Sequence, residues 1–491
     1  MKTLLIATLL LLQVAYAQQG LKDVYAPYFK FGNILNGSTV NNQAMRTLLL
    51  REFNSVTPEN ELKPDATIVA NGSTNTDVKV TLNTGARAIL KFCEDNGIPV
   101  RGHTLVWHSQ TPGWFFREGF SSSGAVVSKA VMSQRMESYI KNILALIYKD
   151  YPNLDIYAYD VVNEAASESG GPRTAGSDAG NGQSMWVQVY GDNSFVREAF
   201  VHARKYAKPG TKLYYNDYNE YIQAKRDYIA NSIVKPLFQE GLLDGMGMQS
   251  HLDARGGNDA YPSASLYGQA ITMYKNIGVD IHITELDATV NNSNFTAQAT
   301  YYKSIMNEIL TKGGSAIKAV VVWGIQDDQS WRKDRNPLLF NSSGAKKAAY
   351  TEVFNLAGTT TPPSSSSIAP SSSSSAAPSS SSRPPSSSSI TPSSSSRPPS
   401  SSSATPSSSS SIAQSSSSSA VPSSSSSAEM PSSSSEESTP ILLPQTNVVR
   451  ALRATPLYYN LKGEPLGNAK PSKPGVYIEK NGKNARKIVV K

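Results

Sequence analysis

Eight short apolar runs, many with β-branched residues, recur between residues 29 and 323, and helix-like stretches separate most of them. The runs are Phe29–Ile34, Phe53–Thr57, Pro99–His103, Ile156–Val162, Leu213–Asn216, Gly245–Gln249, Ile281–Thr284 and Ala319–Trp323. Apolar residues in the stretches between them repeat at three- and four-residue spacing, which is the pattern of an amphipathic helix. Clear examples of such stretches are 128–148, 194–207, 225–240 and 296–312.

Strands that alternate with helices predict a parallel sheet of the α/β class, and eight such units can close into a (β/α)8 TIM barrel. An open, doubly wound sheet is the alternative arrangement. Such sheets commonly bind their ligand at a Gly-rich loop after the first strand, and this chain has no such loop there. We therefore predict the barrel.

The first 17 residues have the organisation of a secretory signal peptide. Lys2 gives a basic start, Leu4–Leu12 is a short apolar run, and Ala15–Ala17 is a small-x-small exit. The apolar run is shorter than the roughly 18 to 20 residues that span a bilayer, which disfavours an uncleaved membrane anchor. We expect a protein that is secreted or attached to the cell surface and that has no membrane span. Cys93 is the only cysteine, so no disulfide forms within the chain.

The composition changes abruptly near Thr359. Residues 359–440 are mostly Ser and Pro, which predicts an extended, disordered linker because almost no apolar surface is available for burial. Residues 441–491 carry ten Lys and Arg against two Glu, so this tail holds a net charge of +8, equal to that of the whole chain. The predicted domains are a signal peptide at 1–17, a neutral barrel at 18–358, the linker at 359–440 and a small basic β-type domain at 441–491.

Two strand-like runs lead directly into a glutamate, Glu164 after the run from Asp155 and Glu285 after the run from Asp280. In a parallel barrel the carboxyl ends of the strands lie on the face that holds catalytic residues. Hydrolysis of a glycosidic bond needs one carboxyl group that protonates the leaving oxygen and a second that attacks or stabilises the anomeric centre. A single glutamate after a strand is usually only a solvated side chain. The pair indicates a glycosidase.

Six segments carry a family resemblance. They are Thr57–Lys63, Arg101–Pro112, Asp160–Ala165, Gln249–His251, Ile283–Asp287 and Trp323–Arg332. In this order, and at six of the eight strand ends, they resemble glycoside hydrolase family 10, the endo-xylanase family, over about Leu21 to Leu356. The resemblance implies a retaining endo-β-1,4-xylanase on a (β/α)8 barrel, with Glu164 as acid/base and Glu285 as nucleophile.

The resemblance also implies the residues that bind substrate. His251 would hydrogen-bond the nucleophile with Gln249 beside it, and both side chains should share a face because they are two residues apart on one predicted strand. Asn163 would hold the sugar 2-hydroxyl. Trp323 and Trp331 would supply flat apolar faces against the sugar ring. Further contacts, on the non-reducing side of the scissile bond, would be Asn60, Lys63, His103, Trp107 and Gln110.

Neither a cofactor nor a catalytic metal is expected, and a structural calcium bound by carboxylates and carbonyls is an alternative that the sequence leaves open. His103 and His108 are five residues apart, and no third His or Cys stands at ligand spacing, which argues against a catalytic zinc. The expected partner is xylan, and a monomer is expected. A nucleic-acid partner is not expected, because the basic balance of the chain belongs to the tail rather than to the barrel.

Two places depart from the family pattern. Pro64 follows Lys63 where the family usually has an aromatic residue, and the segment Ser167–Ser184 after the fourth run is long and Gly-rich. That segment follows Glu164 closely in sequence. A flexible loop there could widen or cover the leaving-group side of the site.

The basic tail poses a separate question. Its segments Leu457–Gly463, Lys473–Ile478 and Arg486–Lys491 are similar to the C-terminal sorting domains of the type IX secretion route in some Gram-negative bacteria, and they predict short strands with Gly and Pro turns. A carbohydrate-binding module is an alternative, although the tail offers only three tyrosines for an aromatic platform. A tail that binds acidic surfaces by charge alone is the other alternative, and its partner would be the cell surface rather than secretion machinery.

The predicted function is that of a secreted, retaining endo-β-1,4-xylanase. A cellulase or mixed β-glucanase is the nearest alternative, because such enzymes share the barrel and the two glutamates. A non-catalytic polysaccharide-binding surface protein on an inactivated barrel is the alternative of a different class. The presence of both Glu164 and Glu285 argues against it.

Overall fold

The computed structural model describes residues 19–257 and 259–359, together with the backbone of four strands within residues 457–490. The predicted signal peptide lies outside the described residues, as does the Ser/Pro segment from residue 360 onward. The predicted domain boundaries therefore stay predictions. The barrel and the C-terminal strands belong to two separate units of the chain.

The eight predicted strands form a closed parallel barrel. In chain order they are β1 (Lys30–Leu35), β2 (Ser55–Pro58), β3 (Val100–Trp107), β4 (Ile156–Asn163), β5 (Lys212–Asp217), β6 (Gly245–Met248), β7 (Asp280–Val290) and β8 (Ile317–Val322). Each strand pairs in parallel with the next one along the chain, and β8 pairs with β1. This closure confirms the predicted (β/α)8 barrel and excludes the open sheet.

One main helix follows each strand. The helices are α1 (Gln43–Glu52), α2 (Thr84–Asp95), α3 (Lys129–Asp150), α4 (Ser194–Tyr206), α5 (Gln223–Tyr228), α6 (Ala264–Ile277), α7 (Phe295–Glu308) and α8 (Ala348–Ala357). A π-helical segment, Ile229–Val234, continues α5 into the short helix Lys235–Gln239, and another, Ile309–Gly313, follows α7. Short helices also span Leu21–Val24, Pro64–Thr67 and Met185–Tyr190.

Polar side chains begin several of these helices. Asn42, Asn83, Ser128, Ser263 and Asn294 each accept a hydrogen bond from a backbone N–H in the first turn of α1, α2, α3, α6 or α7. Each such cap contributes about 0.5–2 kcal/mol, because the first N–H groups of a helix otherwise have no partner. Local sequence thus supports the helix positions that the apolar pattern predicts.

The helices bury one face against the barrel wall. In α2 the buried residues are Ala86, Ile89, Leu90 and Cys93, which recur at the spacing of a helical stripe. Burial of an aliphatic side chain of the size of Ile or Leu contributes about 1.5–3 kcal/mol. The lone cysteine is a free thiol within this core.

The described C-terminal strands form an antiparallel sheet. Its strand order is Pro465–Gly467, Leu457–Tyr459, Gly475–Asn481 and Asn484–Val490. The predicted β-type tail is therefore confirmed for the backbone of these strands. Among the helices that the structure describes, none is both long and apolar enough to cross a membrane.

Candidate active site

The carboxyl ends of four consecutive strands bring together the polar side chains of the site. Asn163 ends β4 and Glu164 follows it, Asn216 lies near the end of β5, Gln249 follows β6, and Glu285 lies within β7. This is the face on which parallel barrels hold their catalytic residues.

Glu164 has a left-handed backbone, with a φ of +59°. Such a conformation costs a residue with a side chain about 1–2 kcal/mol. Two hydrogen bonds hold it in place. The Glu164 N–H donates to the carbonyl of Asn216 at 2.8 Å, and the Glu164 carbonyl accepts from Arg173 Nε at 2.5 Å. The carboxyl group is therefore placed by a turn that neighbouring elements fix on both sides.

A continuous chain of hydrogen bonds joins the two glutamate carboxyl groups. Gln249 Nε2 donates to Glu164 Oε1 at 2.8 Å and to Asn163 Oδ1 at 3.2 Å. Asn216 Nδ2 donates to the same Asn163 oxygen at 2.9 Å and to Glu285 Oε1 at 2.8 Å. Three amide side chains thus fix the relative position of the two carboxyl groups.

Glu285 is buried and held in its ionised form. Its Oε2 lies 3.1 Å from His251 Nε2. Burial alone would raise the pKa of Glu285, but the hydrogen bond from His251, the nearby His103 and the hydrogen bond from Asn216 bring that pKa below its usual value. At neutral pH Glu285 is therefore a carboxylate with its negative charge available.

His251 lies between two carboxylates. Its Nδ1 is 3.1 Å from Asp287 Oδ2, on the side opposite to Glu285. Burial would lower the pKa of His251, but Asp287 and then Glu285 outweigh it and raise the pKa to about 9. Asp287 is held in turn by Trp331 Nε1 at 3.0 Å and by Arg332 Nη1 at 2.6 Å. A protonated His251 is thus fixed beside Glu285 at neutral pH.

Two tryptophans flank this histidine. The Trp331 ring lies 4.9 Å from the His251 ring and is 48% exposed, so one of its surfaces is open to solvent. Trp323 is buried, with its ring 6.3 Å from His251 and 5.5 Å from His103. An exposed aromatic face next to buried polar groups is the usual composition of a sugar-binding surface.

A buried ion pair orients His103. Arg101 of β3 forms a two-point ion pair with Asp160 of β4, and all three side chains are buried. His103 Nδ1 lies 2.9 Å from Asp160 Oδ2. The Nδ1 atom is thereby committed to Asp160, which leaves Nε2 as the polar atom that His103 can offer to another group.

Lys63 organises the opposite side of the site. Its Nζ donates to Asn60 Oδ1 at 2.8 Å and to Gln110 Oε1 at 2.9 Å, and it lies 5.0 Å from the centre of the Trp107 ring. Trp107 Nε1 donates to Glu164 Oε2 at 2.9 Å. Burial lowers the pKa of Lys63, although neighbouring carboxylates oppose the shift. Pro64, which differs from the aromatic residue usual in the family, is the first residue of the helix Pro64–Thr67, a position that suits proline.

All twelve residues predicted for the site form one connected cluster in which each contacts at least one other. They are Asn60, Lys63, His103, Trp107, Gln110, Asn163, Glu164, Gln249, His251, Glu285, Trp323 and Trp331. Their individual roles stay predictions.

One local expectation was wrong. Gln249 and His251 do not share a strand, because β6 ends at Met248 and His251 begins a separate short strand, His251–Arg255. Ser250 between them has a φ of +64°, which breaks the alternation of an extended chain. The backbone turn at Ser250, rather than strand alternation, sends Gln249 to Glu164 and His251 to Glu285.

Three residues of the site were not predicted. Asn216 bridges Asn163 and Glu285, Asp287 holds His251, and Arg173 contacts Glu164. Two of them had a usable signal, since Asn216 ends a strand-like run and Asp287 stands two residues after Glu285. Arg173 had none, because it lies in the Gly-rich segment 167–184.

The segment 167–184 is a paired loop. An isolated bridge joins Ala166 to Pro172, and the short strands Thr174–Ala175 and Gln183–Ser184 pair with each other. Arg173 lies between these two pairings and is buried.

Among the residues that the structure describes, no group of three or more His, Cys, Asp and Glu is arranged to hold a metal ion.

Comparison with known proteins places this site in a family. Residues 20–356 match the model of glycosyl hydrolase family 10. The chain is 51% identical over 350 residues to endo-1,4-beta-xylanase Y of Acetivibrio thermocellus, covering 68% of this chain and 32% of that protein. It is 46% identical over 348 residues to the bifunctional endo-1,4-beta-xylanase XylA of Ruminococcus flavefaciens, covering 70% and 35%.

Solved structures similar to this chain are also endo-1,4-beta-xylanases. The endo-1,4-beta-D-xylanase 10B of Clostridium thermocellum, solved with xylohexaose, is 50% identical with a TM-score of 0.66 and covers 69% of this chain and 67% of that one. A psychrophilic family 10 endo-beta-1,4-xylanase is 35% identical with a TM-score of 0.58 and covers 68% and 100%. The fold is that of a glycoside hydrolase barrel. The chain belongs to glycosyl hydrolase family 10. It spans about a third of the length of the first two relatives.

Proposed function

We propose that this chain is a secreted, retaining endo-β-1,4-xylanase. The observation that carries the proposal is the hydrogen-bonded chain from Glu164 through Gln249, Asn163 and Asn216 to Glu285, on the catalytic face of a family 10 barrel. The relatives named above are endo-1,4-beta-xylanases, which supports xylan as the substrate.

In the first step Glu164 begins protonated and Glu285 ionised. The Glu164 proton passes to the glycosidic oxygen, and the leaving sugar departs as an alcohol. A Glu285 oxygen forms an ester bond with the anomeric carbon as the bond to the leaving oxygen breaks. The lowered pKa of Glu285 supports its assignment as the group that attacks, since burial is outweighed there by His251, His103 and Asn216.

In the second step Glu164 acts as a base. Its carboxylate takes a proton from water, and the resulting hydroxyl bonds to the anomeric carbon as the ester bond to Glu285 breaks. Glu285 returns as a carboxylate and Glu164 is protonated again. Two inversions leave the anomeric configuration retained. Double displacement requires the two carboxyl groups to stand only about 5–5.5 Å apart.

The other predicted residues take supporting roles under this proposal. Asn163 holds the sugar 2-hydroxyl, an interaction that strengthens in the transition state. His251, paired with Asp287, fixes the nucleophile. The exposed ring of Trp331 and the buried ring of Trp323 flank the sugar that lies next to the nucleophile. Sugars on the non-reducing side contact the remaining predicted residues, Asn60, Lys63, His103, Trp107 and Gln110.

Release of reducing sugar from xylan, carboxymethylcellulose and mannan, measured side by side, tests the proposed substrate. We expect hydrolysis of xylan at a rate far above the other two, and none with Glu285→Gln. Preferential hydrolysis of carboxymethylcellulose would support the cellulase alternative. Binding of xylan without any release of sugar would support the non-catalytic surface protein.

The tail carries a second proposal, that residues 441–491 direct the protein through a sorting route or hold it at the cell surface. The described antiparallel strands and the net charge of +8 support it. Deletion of residues 441–491 should change the location of the protein in a host that has such a route. A tail that acts by charge alone would instead lose surface binding between low and physiological salt. Unchanged export and surface retention after the deletion would contradict both.

A further inference from the structure

We propose that Arg173 is a positioning residue for Glu164, and that it supports the step in which Glu164 acts as a base. The inference rests on the proposed function, because it concerns the second half of a double displacement. Arg173 lies in the Gly-rich segment 167–184, which departs from the pattern that identified the rest of the site.

The contacts of Arg173 converge on Glu164. The guanidinium Nε donates to the Glu164 backbone carbonyl at 2.5 Å. Nη2 lies 3.9 Å from Glu164 Oε2 and donates to the Tyr218 hydroxyl at 3.4 Å. One planar group therefore contacts the backbone and approaches the carboxyl group of the same residue.

The Arg173 guanidinium is a buried, permanent cation. Its side chain is 5% exposed. Burial would lower the pKa of Arg173, but Tyr218, Glu164 and Asp217 outweigh burial and raise it. A buried charge is tolerated only where opposite charges or hydrogen bonds compensate it. Tyr218 and Asp217 are among those compensating groups, and the Glu164 carboxylate joins them once Glu164 has given up its proton.

The surroundings of Arg173 leave it little freedom. The loop places it between the Ala166–Pro172 bridge and the paired strands Thr174–Ala175 and Gln183–Ser184. Tyr218, which accepts from Arg173, is packed beneath Lys225 Nζ, 3.6 Å from the ring centre. The guanidinium is therefore held in place before substrate arrives, as an effective electrostatic group must be.

The charge of Arg173 matters most after the first step. Glu164 has then given up its proton and is a carboxylate, while Glu285 is an uncharged ester. The ion pair with the nearby cation and the bond from Nε–H to the backbone carbonyl hold the Glu164 carboxylate in one orientation, so that it meets the attacking water in the geometry that proton transfer needs. Loss of one charge-assisted interaction slows a dependent step by about tenfold or more.

A double-mutant cycle of Arg173→Met and Glu164→Ala tests this coupling. The substrate is an aryl β-xylobioside whose leaving group needs no protonation, so turnover reports hydrolysis of the glycosyl-enzyme. With Glu164 present, we expect Arg173→Met to lower kcat about tenfold and to lower KM as well, because the intermediate accumulates. In Glu164→Ala, where no base remains to be positioned, Arg173→Met should change kcat less than about twofold.

Matched variants separate this role from a general structural one. Arg197→Met removes an exposed guanidinium that pairs with Glu240 on the barrel surface, and it should leave both kcat and KM unchanged. Arg173→Lys keeps the cation but loses the bond from Nε. It should show a smaller loss of kcat, again only when Glu164 is present. If Arg173→Met does not fold, Arg173→Lys replaces it in the double-mutant cycle.

Equal losses of kcat in both Glu164 backgrounds would overturn the proposal, as would a raised KM at unchanged kcat, which indicates a substrate contact. Failure of the proposed function is distinguishable from either outcome. In that case the wild-type chain itself would release neither aryl alcohol from the xylobioside nor sugar from xylan.

Discussion

At the scale of single residues, His251 is a cation held between the carboxylates of Glu285 and Asp287, 3.1 Å from each. Buried anions that lie close together need such a positive charge, because neither is fully solvated. Without it, the carboxylates of Glu285 and Asp287 would repel each other. The charge of His251 should therefore affect both the stability of the barrel and the ionisation of Glu285.

We expect the stabilisation that His251 provides to be lost as the pH rises from about 6.5 to about 9. Burial is outweighed by Asp287 and Glu285, so the folded pKa is about 9, against about 6.5 in an unfolded chain. A raised folded pKa gives stability that is complete below the unfolded pKa and gone above the folded one. The free energy of unfolding should fall by about 1–3 kcal/mol more in the wild type than in His251→Gln. Urea unfolding of both chains across this range measures the difference, and parallel pH curves would contradict it.

Replacement of each glutamate by alanine should affect the activity in a different way. We expect Glu285→Ala to abolish hydrolysis of every β-xyloside, because no ester can form. Glu164→Ala should retain activity on an aryl xylobioside with a good leaving group, and azide should restore its turnover as a β-linked azide. Product analysis with and without azide measures this. If Glu285→Ala yields the β-linked azide instead, the two roles are exchanged.

The sequence was a sufficient guide to those site residues that stand within contiguous motifs at strand ends. Asn163, Glu164 and Glu285 are examples, since a parallel barrel brings all strand ends to one face. Arg173 was beyond such reasoning because its position depends on how the loop 167–184 folds back. The direction of Gln249 and His251 was also mispredicted, because a positive φ at Ser250 leaves no sequence pattern when the residue is not glycine.

At the scale of elements, β5, β6 and β7 lie close to one another around the side chain of Asn216. Gly247 in β6 has no side chain there, and a Cβ at this position would lie 2.4 Å from Asn216 Oδ1. The same Asn216 side chain accepts from Thr284 at 2.6 Å and donates to Asn163 and Glu285. A methyl group at Gly247 would therefore displace the amide that links the two carboxyl groups.

We expect Gly247→Ala to lower kcat on xylan about tenfold or more, because small displacements of catalytic groups are costly. Gly113→Ala is the matched control, since a Cβ there meets nothing within 4 Å. Initial rates and thermal unfolding of both variants measure the effect. Activity of Gly247→Ala equal to that of Gly113→Ala would show that the close approach at Asn216 has no catalytic consequence.

The elements themselves could be predicted because the strands are apolar and the helices amphipathic. All eight strands and the four named helical stretches are confirmed, but the positions of some strand ends were not predicted. β3 continues to Trp107 and β7 to Val290, beyond the predicted runs. Polar residues interrupt the apolar pattern inside both strands, His103 and Thr104 in β3 and Glu285 and Asp287 in β7, so the sequence pattern stops before the strand does. The π-helical segments Ile229–Val234 and Ile309–Gly313 have no sequence signal of their own.

At the scale of the whole molecule, all the site residues described above lie within the barrel unit. The contacts described for the site join residues between Asn60 and Arg332, and the net charge of +8 belongs to residues 441–491. Closure of the barrel was predictable from the alternation of eight strands with helices. The predicted linker and its tethering role stay predictions, because those residues lie outside the described part of the chain.

A shortened chain that ends at Gly358 should keep the catalytic efficiency of the full chain on soluble xylan. The reason is that a Ser/Pro segment has almost no apolar surface with which to pack on a barrel. Comparison of kcat/KM for the two chains measures this, with thermal unfolding as a check on folding. A loss of more than about threefold, well outside ordinary error, would mean that residues beyond Gly358 support the site.

Covalent trapping of the intermediate tests most directly whether Glu285 is the nucleophile of a retaining enzyme. The reagent is an aryl β-xylobioside with fluorine in place of the sugar 2-hydroxyl, which slows hydrolysis of the ester. We expect inactivation with one glycosyl group attached to the peptide that contains Glu285, and none in Glu285→Gln. Attachment to another residue, or the absence of any adduct from a chain that hydrolyses xylan with inversion, would contradict the double displacement.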